Sequence, residues 1–204
     1  MNLRIILTIS LFKTEECNKN GADLMHIFED EYLEHKDIVL NRLNYAFNYQ
    51  SNNLICNIFE ISEYDAENFL TKNHLQGFKP STIYLGSYSN NRLLGVMSFD
   101  KCDNYCNFEI TRFAVNEIMF YDLMCKNLFQ HFLTHYQFKN VFYLADRRWI
   151  INKEHNIYTD IGFKIDSIIE PNFTYVVGSK RSTNYEDNVH KIWDCGYVKY
   201  SYKK

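Results

Sequence analysis

A few side chains in this sequence have the types and spacing that support chemistry. His74 follows directly on a segment of helical character, and an imidazole, which titrates near neutrality, can serve there as a general base or a metal ligand. Asp146 ends an apolar run read as a strand, where α/β sheets tend to place ligand-contacting groups; with Arg147 and Arg148 beside it, an ion pair suits it equally. Glu109 and Arg112 stand three apart on another strand, so alternation sends them to opposite faces. Of the two, Arg112 is the better candidate for a cleft, as a contact for a carboxylate or phosphate. His131 and His135 share a helical face as zinc ligands do, yet neither a third ligand nor an intervening glutamate accompanies them, and no metal site is expected. Glu29, Asp30 and Glu31 are consecutive and therefore diverge; a solvated or helix-capping role is expected of them. Lys139, Arg147, Arg148, Lys153, Lys180 and Arg181 could form a basic surface beside Trp149 and Tyr175, a mixture that suits phosphate contact with base stacking, and equally an ordinary solvated face.

These groups need elements to hold them. The run 22–29 has the apolar density of a buried strand after an Asn20-Gly21 turn, and an amphipathic helix follows over 33–47 with Ile38, Val39, Leu43 and Phe47 as its stripe. The polar cluster 48–53 is the expected domain boundary, giving an appendage over 1–50 and a domain over 51–204. Beyond it come a strand (54–61), a helix opened by Ser62-x-x-Asp65 (62–73), and two strands (82–88 and 92–99) joined by an Asn90-Asn91 hairpin turn. A third strand (107–115), a long helix (120–136), a strand (141–145) and a short helix (152–160) follow, with Gly162 where a C-cap belongs. Strands 163–168 and 173–177 are expected to pair, and the aromatic tail (Trp193, Tyr197, Tyr200, Tyr202) to pack back on the domain. A meander followed by alternating strands and helices predicts an α/β fold with a mixed sheet.

Composition sets the outer limits. At 46% apolar and 17% aromatic over 204 residues, the chain can bury a real core. A formal charge of −3 gives no global basic field, so any nucleic-acid contact would be local. Six scattered cysteines read as free thiols, and the short apolar opening 1–12 as a buried strand rather than a leader or a membrane span, which together suggest a cytoplasmic protein.

Four blocks then fall in order: Asn73-His74-Leu75-Gln76-Gly77; Phe108-Glu109-Ile110-Thr111-Arg112-Phe113; Ala145-Asp146-Arg147-Arg148-Trp149; and Tyr158-x-x-x-Gly162-Phe163 with Pro171-Asn172-Phe173-x-Tyr175. The series resembles the Mom-like GNAT domain that phages carry alone or fused to homing-endonuclease-like proteins, and Trp193-Asp194-Cys195-Gly196-Tyr197 resembles the end of the longer forms. Residues 13–31 are similar to the last strand of a Vsr-like nuclease domain whose catalytic half lies upstream of anything in this chain. The resemblance implies a GNAT-like mixed sheet flanked by helices, with acetyl-CoA or a related acyl-CoA in a gap between two splayed strands. It places the cofactor along Phe113, Ala114 and Val115, with its phosphates near Tyr121 at the start of the long helix. It further implies a polar centre of His74 and Asp146, Tyr158 as proton donor to the leaving thiolate, and DNA as partner through Arg112, Arg147, Arg148 and Trp149. Acyl transfer to a nucleobase amine is the expected activity. A non-catalytic DNA-targeting module and an N-acetyltransferase of a small amine or protein are the alternatives. The sequence departs from the family at Asn116–Asp122, which has no glycine and two acids, a composition that works against phosphate binding.

Overall fold

A computed structural model describes residues 13, 16–17, 19–21, 24–47, 54–150, 153–177, 180–182 and 190–204. The expectations for 1–12 and for the boundary cluster 48–53 lie outside the described residues.

The core is a mixed sheet. Strands β1 (Asn57–Glu60), β2 (Ile83–Ser89), β3 (Arg92–Lys101) and β4 (Asn107–Val115) form an antiparallel meander, whose β2–β3 turn uses Asn90 and Asn91 at positive φ as expected. Strand β5 (Asn140–Asp146) then lies parallel to β4, and the order across the seven-stranded sheet is β1-β2-β3-β4-β5-β10-β6, with β6 at Lys164–Ile169 and β10 at Tyr197–Lys203. The aromatic tail does pack back: it enters the sheet as β10, antiparallel to both β5 and β6. Strands β6 and β7 (Phe173–Val177) were expected to pair and do not. β7 instead centres a small sheet with β8 (Lys180–Ser182) and β9 (His190–Trp193), while β6 pairs with β10. The chain turns into β10 at Gly196, whose φ is +74° and where a Cβ would come 2.2 Å from the Ile169 carbonyl oxygen; only glycine fits there.

One face of the sheet packs against the long helix α4 (Tyr121–His135), which buries Met124, Cys125, Leu128, Phe129 and Phe132 at helical spacing. Phe132 stacks on Phe99 of β3 at 4.0 Å, and α4 comes so close to β3 that a Cβ at Gly95 would lie 2.7 Å from the Met124 sulfur. Each such fully buried side chain contributes roughly 1.5–3 kcal/mol. The other face carries helix α3 (Glu63–Asn73), opened by a Ser62 cap on the Asp65 amide and seated through Ala66, Phe69 and Leu70 on Tyr84, Val96 and Ala114.

The N-terminal part corrects the sequence expectation. Residues 24–28 have no regular structure, so the strand expected over 22–29 does not form; Glu29–Glu34 is instead helix α1, followed by α2 (Lys36–Phe47). Three acids in the first turn complement the helix dipole and favour a helix start there. Nor are those acids all solvated: Asp30 and Glu31 are buried. Glu31 Oε2 accepts from Arg148 Nη1 at 2.6 Å, and Asp30 Oδ2 accepts from Arg181 Nε at 2.6 Å. The short helix expected over 152–160 is confined to α5 (Ile157–Asp160), capped by Asn156, with Gly162 at positive φ just past its end as expected. No helix among the described residues is long and apolar enough to cross a membrane.

Candidate active site

Parallel pairing of β4 with β5 runs only from Asn107↔Asn140 to Ile110↔Tyr143. Past that point the two strands part, and the gap opens into a cavity of about 420 Å3. Its walls are Glu109–Arg112 of β4, Tyr143–Asp146 of β5, His74–Gln76 after α3, Tyr158 of α5, Trp149, and Arg42 and Tyr45 of α2.

A β-bulge decides what faces this cavity. Ser98 pairs with Arg112 and Phe99 with Ile110, leaving Thr111 as the extra residue. Thr111 is held by its hydroxyl, 2.7 Å from Ser98 Oγ and 2.6 Å from Ser81 Oγ. The bulge resets the alternation, so Glu109 and Arg112 line the same cavity, contrary to the opposite faces expected from plain strand spacing. Glu109 is paired with Lys79 at 3.2 Å. Arg112 donates from Nε to the Gly77 carbonyl (3.0 Å) and from Nη1 to its neighbour's carbonyl at Thr111 (2.8 Å).

His74 is buried, and its Nδ1 accepts the Gln76 amide at 3.1 Å. A neutral ring so held carries its proton on Nε2 and presents a donor. Burial, then the guanidinium charges of Arg42 and Arg112, hold its pKa well below the ordinary histidine value. The general-base role expected for His74 does not suit this tautomer; a hydrogen-bond donor to an oxygen does. Asp146 is not free either. Its side chain caps the turn Arg147–Trp149 through the Arg148 amide (3.0 Å), and both carboxylate oxygens accept from Arg148 Nε at 3.0 Å. The ion-pair reading of Asp146 is therefore the one the geometry favours. Arg148 is 5% exposed and spent on Asp146 and Glu31, which corrects its assignment as a DNA contact.

Tyr158 is buried against Tyr143, with ring centres 4.6 Å apart, and its hydroxyl lies 3.1 Å from that of Tyr121. Burial raises the pKa of both phenols, so both remain protonated donors. Phe113, Ala114 and Val115 continue β4 along the gap beyond its pairing with β5, all three side chains buried and Phe113 against Tyr121 at 4.8 Å. Arg147 and Trp149 are half-buried at the cavity end of β5. Of the expected basic surface, Arg148 and Arg181 are ion-paired to the N-terminal acids, and the Lys180 side chain lies outside the described residues. His131 and His135 do stack at 4.0 Å, and no group of three potential metal ligands occurs among the described residues.

Arg42, Tyr45 and Tyr143 at this site escaped the sequence reading. Arg42 follows Ile38 by four and Val39 by three, so it stands on the apolar side of α2, and that placement was a usable signal. Tyr45 donates to Asp122 Oδ1 at 2.5 Å and packs on the Tyr121 ring at 5.0 Å, a contact spanning 77 residues that no local pattern announces.

The topology, with its parting of β4 and β5, is the GNAT acetyltransferase fold. Solved structures similar to this chain include the ribosomal-protein-S18-alanine N-acetyltransferase from Escherichia coli (TM-score 0.52, 8% identity, 73% of this chain and 94% of that one). A probable acetyltransferase from Staphylococcus epidermidis is comparable (0.51, 13%, covering 73% and 99%). So is a Bacillus subtilis acetyltransferase solved in complex with CoA (0.50, 14%, covering 74% and 99%). No protein-family model and no curated protein sequence matches the chain.

The residues present fit one part of an acyl-CoA and not another. The gap beside β4 opens into a cavity of about 420 Å3, room enough for a slender thioester arm. The start of α4 does not offer a diphosphate seat: the amides of Phe120 and Tyr121 already bond the carbonyls of Glu117 and Ile118, and the Asp122 carboxylate, clasped by Tyr45, occupies the first turn.

Proposed function

We propose that this chain is a GNAT-type N-acyltransferase whose acceptor is the primary amine of a small molecule or protein, brought to the gap between β4 and β5. The observation that carries the reading is the cavity opening beyond Ile110 and Tyr143, lined by the protonated donors Tyr158 and His74. An acyl thioester bound there supplies a carbonyl open to amine attack and a thiolate leaving group. Tyr158 holds a proton at Oη, kept there by burial, and suits donation to a departing group; His74 Nε2–H suits an oxygen that gains negative charge. A nucleobase amine, the acceptor implied by the Mom-like blocks, draws less support. Arg148, one of the four expected DNA contacts, is buried in ion pairs.

A second reading, a ligand-binding protein on a GNAT scaffold without transfer, is favoured by the Tyr45–Asp122 clasp at the phosphate end. The two separate in one experiment. Acetyl-CoA is titrated calorimetrically into wild type and a Tyr45→Phe, Asp122→Asn double variant, and free thiol is followed with a panel of amines. The transferase reading expects amine-dependent thiol release that falls in Tyr158→Phe, and tighter acetyl-CoA binding in the double variant by about tenfold, the worth of one unfavourable charge at a helix N-terminus plus a lost clasp. Absence of acetyl-CoA binding in both proteins supports the second reading and overturns the first.

A further inference from the structure

The cavity carries positive charge that the fold does not spend. Arg42 lies with its guanidinium carbon 5.2 Å from the Trp149 ring centre and meets no carboxylate among the described residues. Arg112 is likewise without a carboxylate partner there; its Nε and Nη1 donate to the neutral carbonyls of Gly77 and Thr111. The acids nearby are already committed, Glu109 to Lys79 and Asp146 with Glu31 to Arg148. His74, on the same cavity, adds an Nε2–H.

A half-buried guanidinium on the apolar side of a helix is costly to keep without a counter-charge, and leucine or methionine would fit that stripe more cheaply. Its place there makes physical sense where a ligand supplies the anion. The donors left over are the planar fork of Arg42, one Arg112 nitrogen and the imidazole N–H. Such a set matches the two oxygens of a carboxylate, whose lone pairs lie in one plane, better than the three oxygens of a phosphate. Trp149 and Tyr143 supply aromatic wall, and a cavity of about 420 Å3 holds a small molecule.

We propose that this cavity binds a small molecule through its carboxylate, seated between Arg42 and Arg112, with an apolar body against Trp149 and Tyr143. The N-terminal helix α2 is thereby part of the binding site and not a detached appendage. The assignment goes beyond acyl transfer and does not need it; where transfer does occur, the acceptor is an amine that also bears a carboxylate.

The test is binding without any acyl donor. 3-Phenylpropanoate, its neutral amide and phenyl phosphate are each added at millimolar concentration while melting temperature and tryptophan fluorescence are recorded. The carboxylate is expected to raise the melting temperature and perturb the fluorescence, with the amide and the phosphate weaker. Arg42→Gln should weaken carboxylate binding by about tenfold or more, the loss of a charge-assisted hydrogen bond. Arg42→Lys, which keeps the charge but not the fork, should fall between. Equal binding of the amide, tighter binding of the phosphate, no response to the carboxylate, or unchanged affinity in both Arg42 variants would each overturn the proposal. Acetyl-CoA plays no part in these readings, so their failure is distinct from failure of the transferase reading.

Discussion

Replacing Arg148 by methionine should destabilise the protein by about 3–5 kcal/mol, the cost of breaking a buried ion pair from one side. The structure allows the figure to be reasoned out. Arg148 and Arg181 together face Asp30, Glu31 and Asp146, so the cluster has one carboxylate more than it has guanidiniums. Removing Arg148 leaves Asp146 without its guanidinium and leaves Asp30 and Glu31 to Arg181 alone, whose side chain is 30% exposed against 7% for Glu31. Glu31→Gln works the other way, leaving two guanidiniums with two carboxylates, and should cost only about 1–2 kcal/mol for a weakened hydrogen-bond set. With a urea slope of about 2 kcal/mol/M for a domain of this size, the Arg148→Met midpoint should fall by about 1.5–2.5 M and the Glu31→Gln midpoint by about 0.5–1 M. The same cluster ties α1 to the end of β5, so limited proteolysis of Arg148→Met should open new cuts in residues 24–47. A midpoint within about 0.5 M of wild type with an unchanged cleavage pattern, or a Glu31→Gln loss larger than that of Arg148→Met, would refute the reasoning.

His74 has a folded pKa depressed below its unfolded value, so the unfolded chain takes up the proton first as pH falls through about 6.5. Stability is therefore full above that pH and declines below it, down to the folded pKa. NMR titration of the imidazole should show a neutral ring at pH 6, and His74→Gln should flatten the slope of stability against pH; a ring that titrates at the ordinary value contradicts this. Gly196→Ala should cost more than about 2 kcal/mol, because alanine meets both a positive φ and the Ile169 carbonyl oxygen. A thermal melt like that of wild type would show that the β6–β10 corner yields more easily than the geometry implies.

The local elements were legible in the amino-acid order alone. Meander, hairpin, capped α3 and the stripe of α4 are set by periodicities of two and 3.6 and by cap and turn residues acting within a few positions. His74, Asp146 and Tyr158 were visible as chemical types for the same reason, and they do line one cavity. Their roles were decided by hydrogen-bond partners, some two residues away and others far along the chain. Gln76 fixes the histidine tautomer, Arg148 and through it Glu31 hold Asp146, and Tyr121 meets Tyr158 across 37 residues. A single bulge at Thr111, invisible to alternation, put Glu109 and Arg112 on one face. Whether strand 173–177 paired with the strand before it or centred a separate small sheet was settled by the tertiary arrangement, which no local pattern encodes. The contact between Tyr45 and Asp122 is of the same kind: charge and hydrogen bonding act through space, and only the folded chain brings those two residues together at the start of α4.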